Sequence, residues 1–199
     1  MRSYHSRAYR KHFEGYTEIR NPESGKIERI YTAKYYRSAL SNKGLRIRKC
    51  VYTGIFLLAA GLWAVVSLSG LPGTMTTFVS IFTALALFPL FFAAVGLFSY
   101  CTAPRNMTIS EYNGSSVRLK WAALGAAIIL AMAGIAELIF VFRNLQSFLP
   151  GEFMGITGYL IASALLFVLF ALENASKYQL IANRNSTLAD LDGATEITV

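Results

Sequence analysis

Fifty-five consecutive residues, 50 to 104, contain no Asp, Glu, Lys or Arg. Charged side chains are rarely buried, and a water-facing surface has to carry them. A soluble domain in a chain of 199 residues has no place for an uncharged run of that length. Composition agrees: 54% of residues are hydrophobic and 15% charged, against about 25% charged in typical soluble domains. So apolar a centre also excludes intrinsic disorder there. The sequence is that of a polytopic membrane protein.

A helix needs about 20 apolar residues to cross a hydrocarbon layer roughly 30 Å thick. Four stretches reach that length, at about 50–68, 75–100, 121–142 and 153–172. They are continuously apolar, whereas barrel strands alternate, so helices are the expected spanning form. The expected fold class is an all-α, four-transmembrane-helix bundle made of two helical hairpins. Ser69-Gly70-Leu71-Pro72-Gly73 and Phe148-Leu149-Pro150-Gly151 supply tight reversals, because Pro cannot continue a helical ladder and Gly accepts positive φ. The middle connection is longer and polar, with breaker signals at Ala103-Pro104 and Asn113-Gly114-Ser115. Residues 1–49 read as a basic leader, 50–172 as the transmembrane domain and 173–199 as a C-terminal extension. With 49 residues ahead of it, the first span does not read as a cleavable signal peptide.

Orientation follows the distribution of Lys and Arg. The leader holds 13 of 19, the middle connection Arg105, Arg118 and Lys120, the first short loop none and the second Arg143 alone. Both termini and the middle connection are therefore expected on the cytoplasmic side, with Tyr52, Tyr100, Trp121 and Tyr178 as interfacial anchors. Asn-x-Ser/Thr triplets at Asn106, Asn113, Asn174 and Asn185 would be glycosylation acceptors in the inverted orientation, but the basic flanks outweigh them. Compact loops point to a bacterial cytoplasmic membrane.

The leader carries 13 basic and four acidic residues. Lys43, Arg46, Arg48 and Lys49 abut the first span and are expected to rest on an anionic inner leaflet, each adding about 1 kcal/mol. Acids interleave with the bases and no RNA-binding or helix-turn-helix pattern appears, so nucleic acid is not an expected partner. Residues 16–20 and 26–31 flank Asn21-Pro22-Glu23-Ser24-Gly25, the pattern of a β-hairpin that needs a surface to stay ordered. After Leu172, an i,i+4 pair of Glu173 with Lys177 and the spacing of Leu180, Ile181, Leu188 and Leu191 predict that the last helix continues beyond the membrane.

Glu137 is the one charged residue inside the proposed spans. It lies six residues before Arg143, about 9 Å along the helix at 1.5 Å per residue. A carboxylate in hydrocarbon is costly, which makes Glu137 the candidate functional residue, for proton coupling or cation recognition. It borders a stripe of Ala123, Ala127, Ala131 and Gly134, and small stripes face other helices. Gly151, Gly155, Gly158 and Ala162 form a second such series, and Gly54, Ala60, Gly61 and Ala64 a third. Pro89 interrupts the second span and is expected to kink it, as fixed packing shape or as a hinge.

The remaining chemistry is sparse. Cys50 and Cys101 both fall near the inner interface, where a disulfide is not expected, and Cys50 beside its bases is a weak palmitoylation signal. His5 and His12 lie in the leader, so no span offers an imidazole to a metal or haem. Nucleotide-binding loops, a nucleophile elbow and paired carboxylates are absent from the sequence. No cofactor is expected, and no enzyme. The favoured reading is a non-enzymatic accessory or scaffold subunit that packs on a larger membrane protein or on itself. The alternative is a small oligomeric transporter or channel that uses Glu137, with Pro89 as its hinge.

Overall fold

Each apolar stretch is one long helix in the computed structural model, which describes residues 15–20, 27–144 and 150–183. Helix α1 spans Asn42–Ser67, α2 Thr77–Thr102, α4 Arg118–Arg143 and α5 Glu152–Asn174. A short helix α3, Ile109–Tyr112, runs through one π-helical turn, Asn113–Val117, into α4. All four long helices are long and apolar enough to cross a membrane.

The ends follow local chemistry. Helix α1 begins at Asn42, well before its apolar stretch, because Ser41 is extended and its side chain accepts the Gly44 N–H at 3.2 Å. Its first two turns are polar, but Lys, Arg and Leu are good helix formers. Gly70, at φ +68°, makes the reversal into α2. Helix α2 stops at Thr102 because Ala103 precedes Pro104 and is extended, at φ −59° and ψ 138°. Thr108 caps α3 in a reciprocal box with Glu111. The expected break at Asn113-Gly114-Ser115 does not occur. The π turn absorbs those residues, and Ser115 Oγ donates to the Glu111 carbonyl at 2.5 Å. The second reversal lies mostly outside the described residues.

Around the bundle, α2 packs on α4, α4 on α5 and α5 on α1, while α1 and α2 meet only sparsely. Of the two expected hairpins, α4–α5 is therefore a close pair and α1–α2 is not. Small residues set the closest approach. Ala86, Ala93, Ala123, Ala126, Ala127 and Ala133 are buried between helices. At Gly96 of α2 a Cβ would lie 2.8 Å from the backbone nitrogen of Leu119. Pro89 sits inside an unbroken α2, next to Gly125 of α4. The third small series is placed differently from expectation. Gly54 and Gly61 face outward with nothing within 4 Å, and α1 packs instead through Tyr52, Phe56, Ala59 and Val66.

Strands gather at one end. β1 (Tyr16–Arg20) pairs antiparallel with β2 (Ile27–Tyr31); the connecting residues fall outside the described set. β3 (Tyr35–Ser38) lies between β4 (Asn106–Met107) and β5 (Tyr178–Ile181), antiparallel to both. One sheet thus joins the leader, the middle connection and the segment after α5. It also overturns the expected helical continuation. Helix α5 ends at Asn174, and Leu180 and Ile181 are strand; Leu188 and Leu191 lie outside the described residues. The pairing with Tyr35 and Tyr36 overrides the helical spacing.

Two glycines should respond oppositely to substitution. Gly96→Leu drives a side chain into the α4 backbone and should lower stability in detergent by at least about 1–3 kcal/mol. Gly61→Ala fills open space in a helix and should raise it by about 0.5–1 kcal/mol. Denaturant titration of the purified variants separates the two; equal effects would refute the assigned helix faces.

Candidate functional site

Two of the buried acidic side chains, of very different standing, lie near opposite ends of the bundle. At the sheet end, Glu173 is 3% exposed and saturated with donors. Tyr52 Oη of α1 donates to Oε2 at 2.9 Å, and Tyr178 Oη of β5 to Oε1 at 2.6 Å. Ser116 of the π turn also donates to Oε1. The widened turn is what presents Ser116 there, a common use of π geometry. Glu173 therefore turns inward to hydroxyls rather than along the helix to Lys177, which is exposed beyond the end of α5. Burial and the facing Glu173 carboxylate push the Tyr178 phenol above its ordinary range.

Aromatic stacking completes this end. Tyr36 stacks on Tyr112 at 4.3 Å, Tyr112 meets Tyr178 edge-on at 5.0 Å, and Tyr52 stacks on Tyr100 at 5.4 Å. Tyr31 is a second junction: its hydroxyl donates to the Lys34 carbonyl at 3.0 Å and accepts the Ile109 N–H at 3.1 Å, while Asn183 bonds its carbonyl.

The four bases expected at the lipid surface divide into two pairs. Lys43 and Arg46 are exposed. Arg48 instead donates to Ser176 Oγ at 2.5 Å. Lys49 Nζ donates to the carbonyls of Cys101 and Ala103 at 2.8 and 2.9 Å, so it caps the C-terminal end of α2. Both cysteines are free thiols.

At the other end Glu137 of α4 is wholly buried, and neither carboxyl oxygen has a hydrogen-bond partner. Two elements besides α4 enclose it, the first reversal and α5. A Cβ on Gly73, in the first reversal, would lie 3.1 Å from Glu137 Oε1, and one on Gly155 of α5 would overlap that oxygen. Glu152, the first residue of α5, is 2% exposed and acts on Glu137 electrostatically. The glycines make room for a carboxyl and supply no donor to it. A buried carboxyl that faces no donor is costly to keep charged.

The sequence-predicted residues are brought together in part. Glu137, Gly155 and Gly134 lie along the α4–α5 interface, where a Cβ on Gly134 would be 3.0 Å from Leu160 Cδ2. Ala127 is buried there, and its carbonyl accepts from Ser163 Oγ at 2.7 Å. Ala131 is half-buried. Gly158 instead receives Val66 of α1, and Gly151 faces Leu71. Pro89 stands on the α2–α4 contact and touches no part of the Glu137 site. The sequence reading missed Glu152 and Glu173, both of which flank the apolar core of the last span. Among the described residues, no group of three His, Cys, Asp or Glu side chains forms a metal-ligand set.

The four apolar helices and the three-stranded sheet define a class: a helical-bundle membrane protein with a folded cap at one end. Comparison with protein-family models, curated proteins and solved structures returns no match.

Two expectations concern the Glu173 cluster. Glu173→Leu strands the buried hydroxyls of Tyr52 and Ser116 and the half-buried one of Tyr178, and should cost at least about 3 kcal/mol, at roughly 1–3 kcal/mol per unpaired group. Glu173→Gln, which keeps acceptor oxygen, should cost less in the same melt. An unfolded tyrosine ionises near pH 10, while Tyr178 in the fold keeps its proton beyond that. This contribution to stability is intact below about pH 10 and is lost as pH rises above it. In an absorbance titration, Tyr178→Phe should leave the tyrosinate signal of the folded protein unchanged to about pH 11, yet remove one tyrosinate in denaturant. A folded-state loss near pH 10 would contradict the buried geometry.

Proposed function

We propose that the chain is a non-enzymatic accessory or scaffold subunit of a bacterial cytoplasmic membrane, with both termini and the cap on the cytoplasmic side. The observation that carries this reading is the three-segment sheet. Leader, middle connection and tail form one folded surface fastened to the helix ends, while the bundle interior is filled by side chains such as Tyr159, Leu130 and Leu166. A surface of that kind suits docking to a larger membrane protein or to a second copy. The Lys and Arg distribution supports the orientation, and exposed Lys43 and Arg46 suit an anionic leaflet.

A second reading rests on Glu137. A buried carboxyl with unpartnered oxygens and an acidic neighbour suits a protonatable or cation-binding step in a small oligomeric transporter.

Cross-linking tests both. A photo-reactive residue at exposed Lys34 should yield one discrete protein adduct in cells, retained in Glu137→Gln and lost in Glu173→Leu. Cysteine at Ser69 should react with an impermeant maleimide in intact cells, and cysteine at Lys34 only after permeabilisation. Lack of any adduct, with cation or proton flux in liposomes that vanishes in Glu137→Gln, would replace the first reading by the second.

A further inference from the structure

At the end of the bundle remote from the sheet, the first reversal and the first turns of α5 close on α4, and they meet on the Glu137 carboxyl itself. A Cβ added at Gly73 would lie 3.1 Å from both Cγ and Oε1 of Glu137. One added at Gly155 would overlap Oε1 and crowd Oε2 as well. Both glycines are thus bare on the side where the carboxyl sits, and no layer of water fits between. The reversal is not tied down there. Its backbone hydrogen bonds stay local, from Met75 to Leu71 and from Thr76 to Gly73, and the Thr74 hydroxyl donates to the Leu71 carbonyl at 2.8 Å. Among the described residues, no hydrogen bond joins the reversal to α4 or α5.

Nothing in this contact solvates a charge. Neither oxygen of Glu137 has a hydrogen-bond partner or a surface open to water. The sequence of the first reversal, 68–76, holds no ionisable residue, and that of the second, 144–151, holds none either. On α5 the facing titratable group is Glu152, itself buried and acidic. Arg143, six residues further along α4, is exposed. A carboxylate buried without donors or a counter-charge is far costlier than the same group as a neutral acid. A bare metal cation needs several oxygen ligands at about 2.0–2.6 Å, and the glycine backbones leave no gap for one. A proton needs no gap.

We infer that Glu137 is the catch of a proton-operated latch. As a neutral acid it lets the first reversal and the first turns of α5 close on α4; when the proton leaves, they part and water reaches the carboxylate. The inference rests on the reading of Glu137 as a protonatable group and narrows it, because the closed form excludes a metal cation. Gly73 and Gly155 make the closed form possible, since any side chain at either position would displace the carboxyl. Opening breaks no hydrogen bond between the reversal and the two helices, so the charge of one side chain decides between the two forms.

Met75 in the first reversal and Met154 in α5 are 70% and 52% exposed, so nitroxide labels attached there leave the contact itself intact. With Cys50 and Cys101 replaced by Ala, the full chain in lipid nanodiscs is titrated from about pH 4 to about pH 10, a range that covers buried glutamates. Pulsed electron resonance should read one short distance at the acid end. That distance should lengthen by about 3 Å at the alkaline end, the span of one water bonded to the carboxylate. In Glu137→Gln it should stay short throughout, and likewise in Glu137→Met, which keeps the length of the side chain without a buried amide. A distance that does not change with pH in the wild-type background would overturn the latch, and so would a change that persists in both variants. Proton flux in liposomes tests the transporter reading separately. Opening without flux would support the latch and remove that reading, while flux without opening would overturn the latch alone.

Discussion

A carboxylate taken out of water has to be solvated by the protein, and at Glu173 hydroxyl groups from three separate elements do this, with Ser176 adding a longer bond at 3.4 Å. Tyr52 fixes α1 against α5, Ser116 holds the π turn that leads into α4, and Tyr178 anchors the strand that completes the sheet. Tyr52 and Ser116 are distant from Glu173 in sequence, whereas Ser176 and Tyr178 follow it closely. The carboxyl therefore works as a four-way joint between bundle and cap. Arg48 and Lys49 tighten the same region, one on Ser176 and one on the open carbonyls of α2. Charge that a topology argument assigns to the lipid surface is here spent partly inside the fold.

The far end of α5 shows the opposite condition. Glu137 is as deeply buried as Glu173, yet glycines rather than hydroxyls surround it. Equal burial thus hides unequal solvation, and the inventory of facing donors separates the two. Glu173 is a fastening, whereas neither oxygen of Glu137 has a hydrogen-bond partner.

The spans were legible because lipid imposes a length and an apolar content that nothing else in a sequence imitates. Gly70 and Pro104 were legible because backbone geometry leaves few alternatives. The cap was not: its sheet unites a four-residue, a two-residue and a four-residue strand from distant segments, too short for any periodicity to register. Leu180 and Ile181 kept helical spacing, but their partners Tyr35 and Tyr36 decided the outcome. Helix faces were half legible. Spacing located the stripes of small residues without saying which stripe meets another helix, so Gly155 and Gly54 looked alike while only the first is covered. Glu173 resembled one half of a surface ion pair because its hydroxyl partners are invisible until the chain is folded.

The sheet also imposes an order on biogenesis. Strand β3 is synthesised before the first span, and its neighbour β5 only after the fourth. The leader therefore emerges with an unfilled edge that stays so while every span is threaded into the bilayer. Maturation of that face is coupled to the last insertion event, and a ribosome stalled in α5 would leave four strands made and the fifth place vacant.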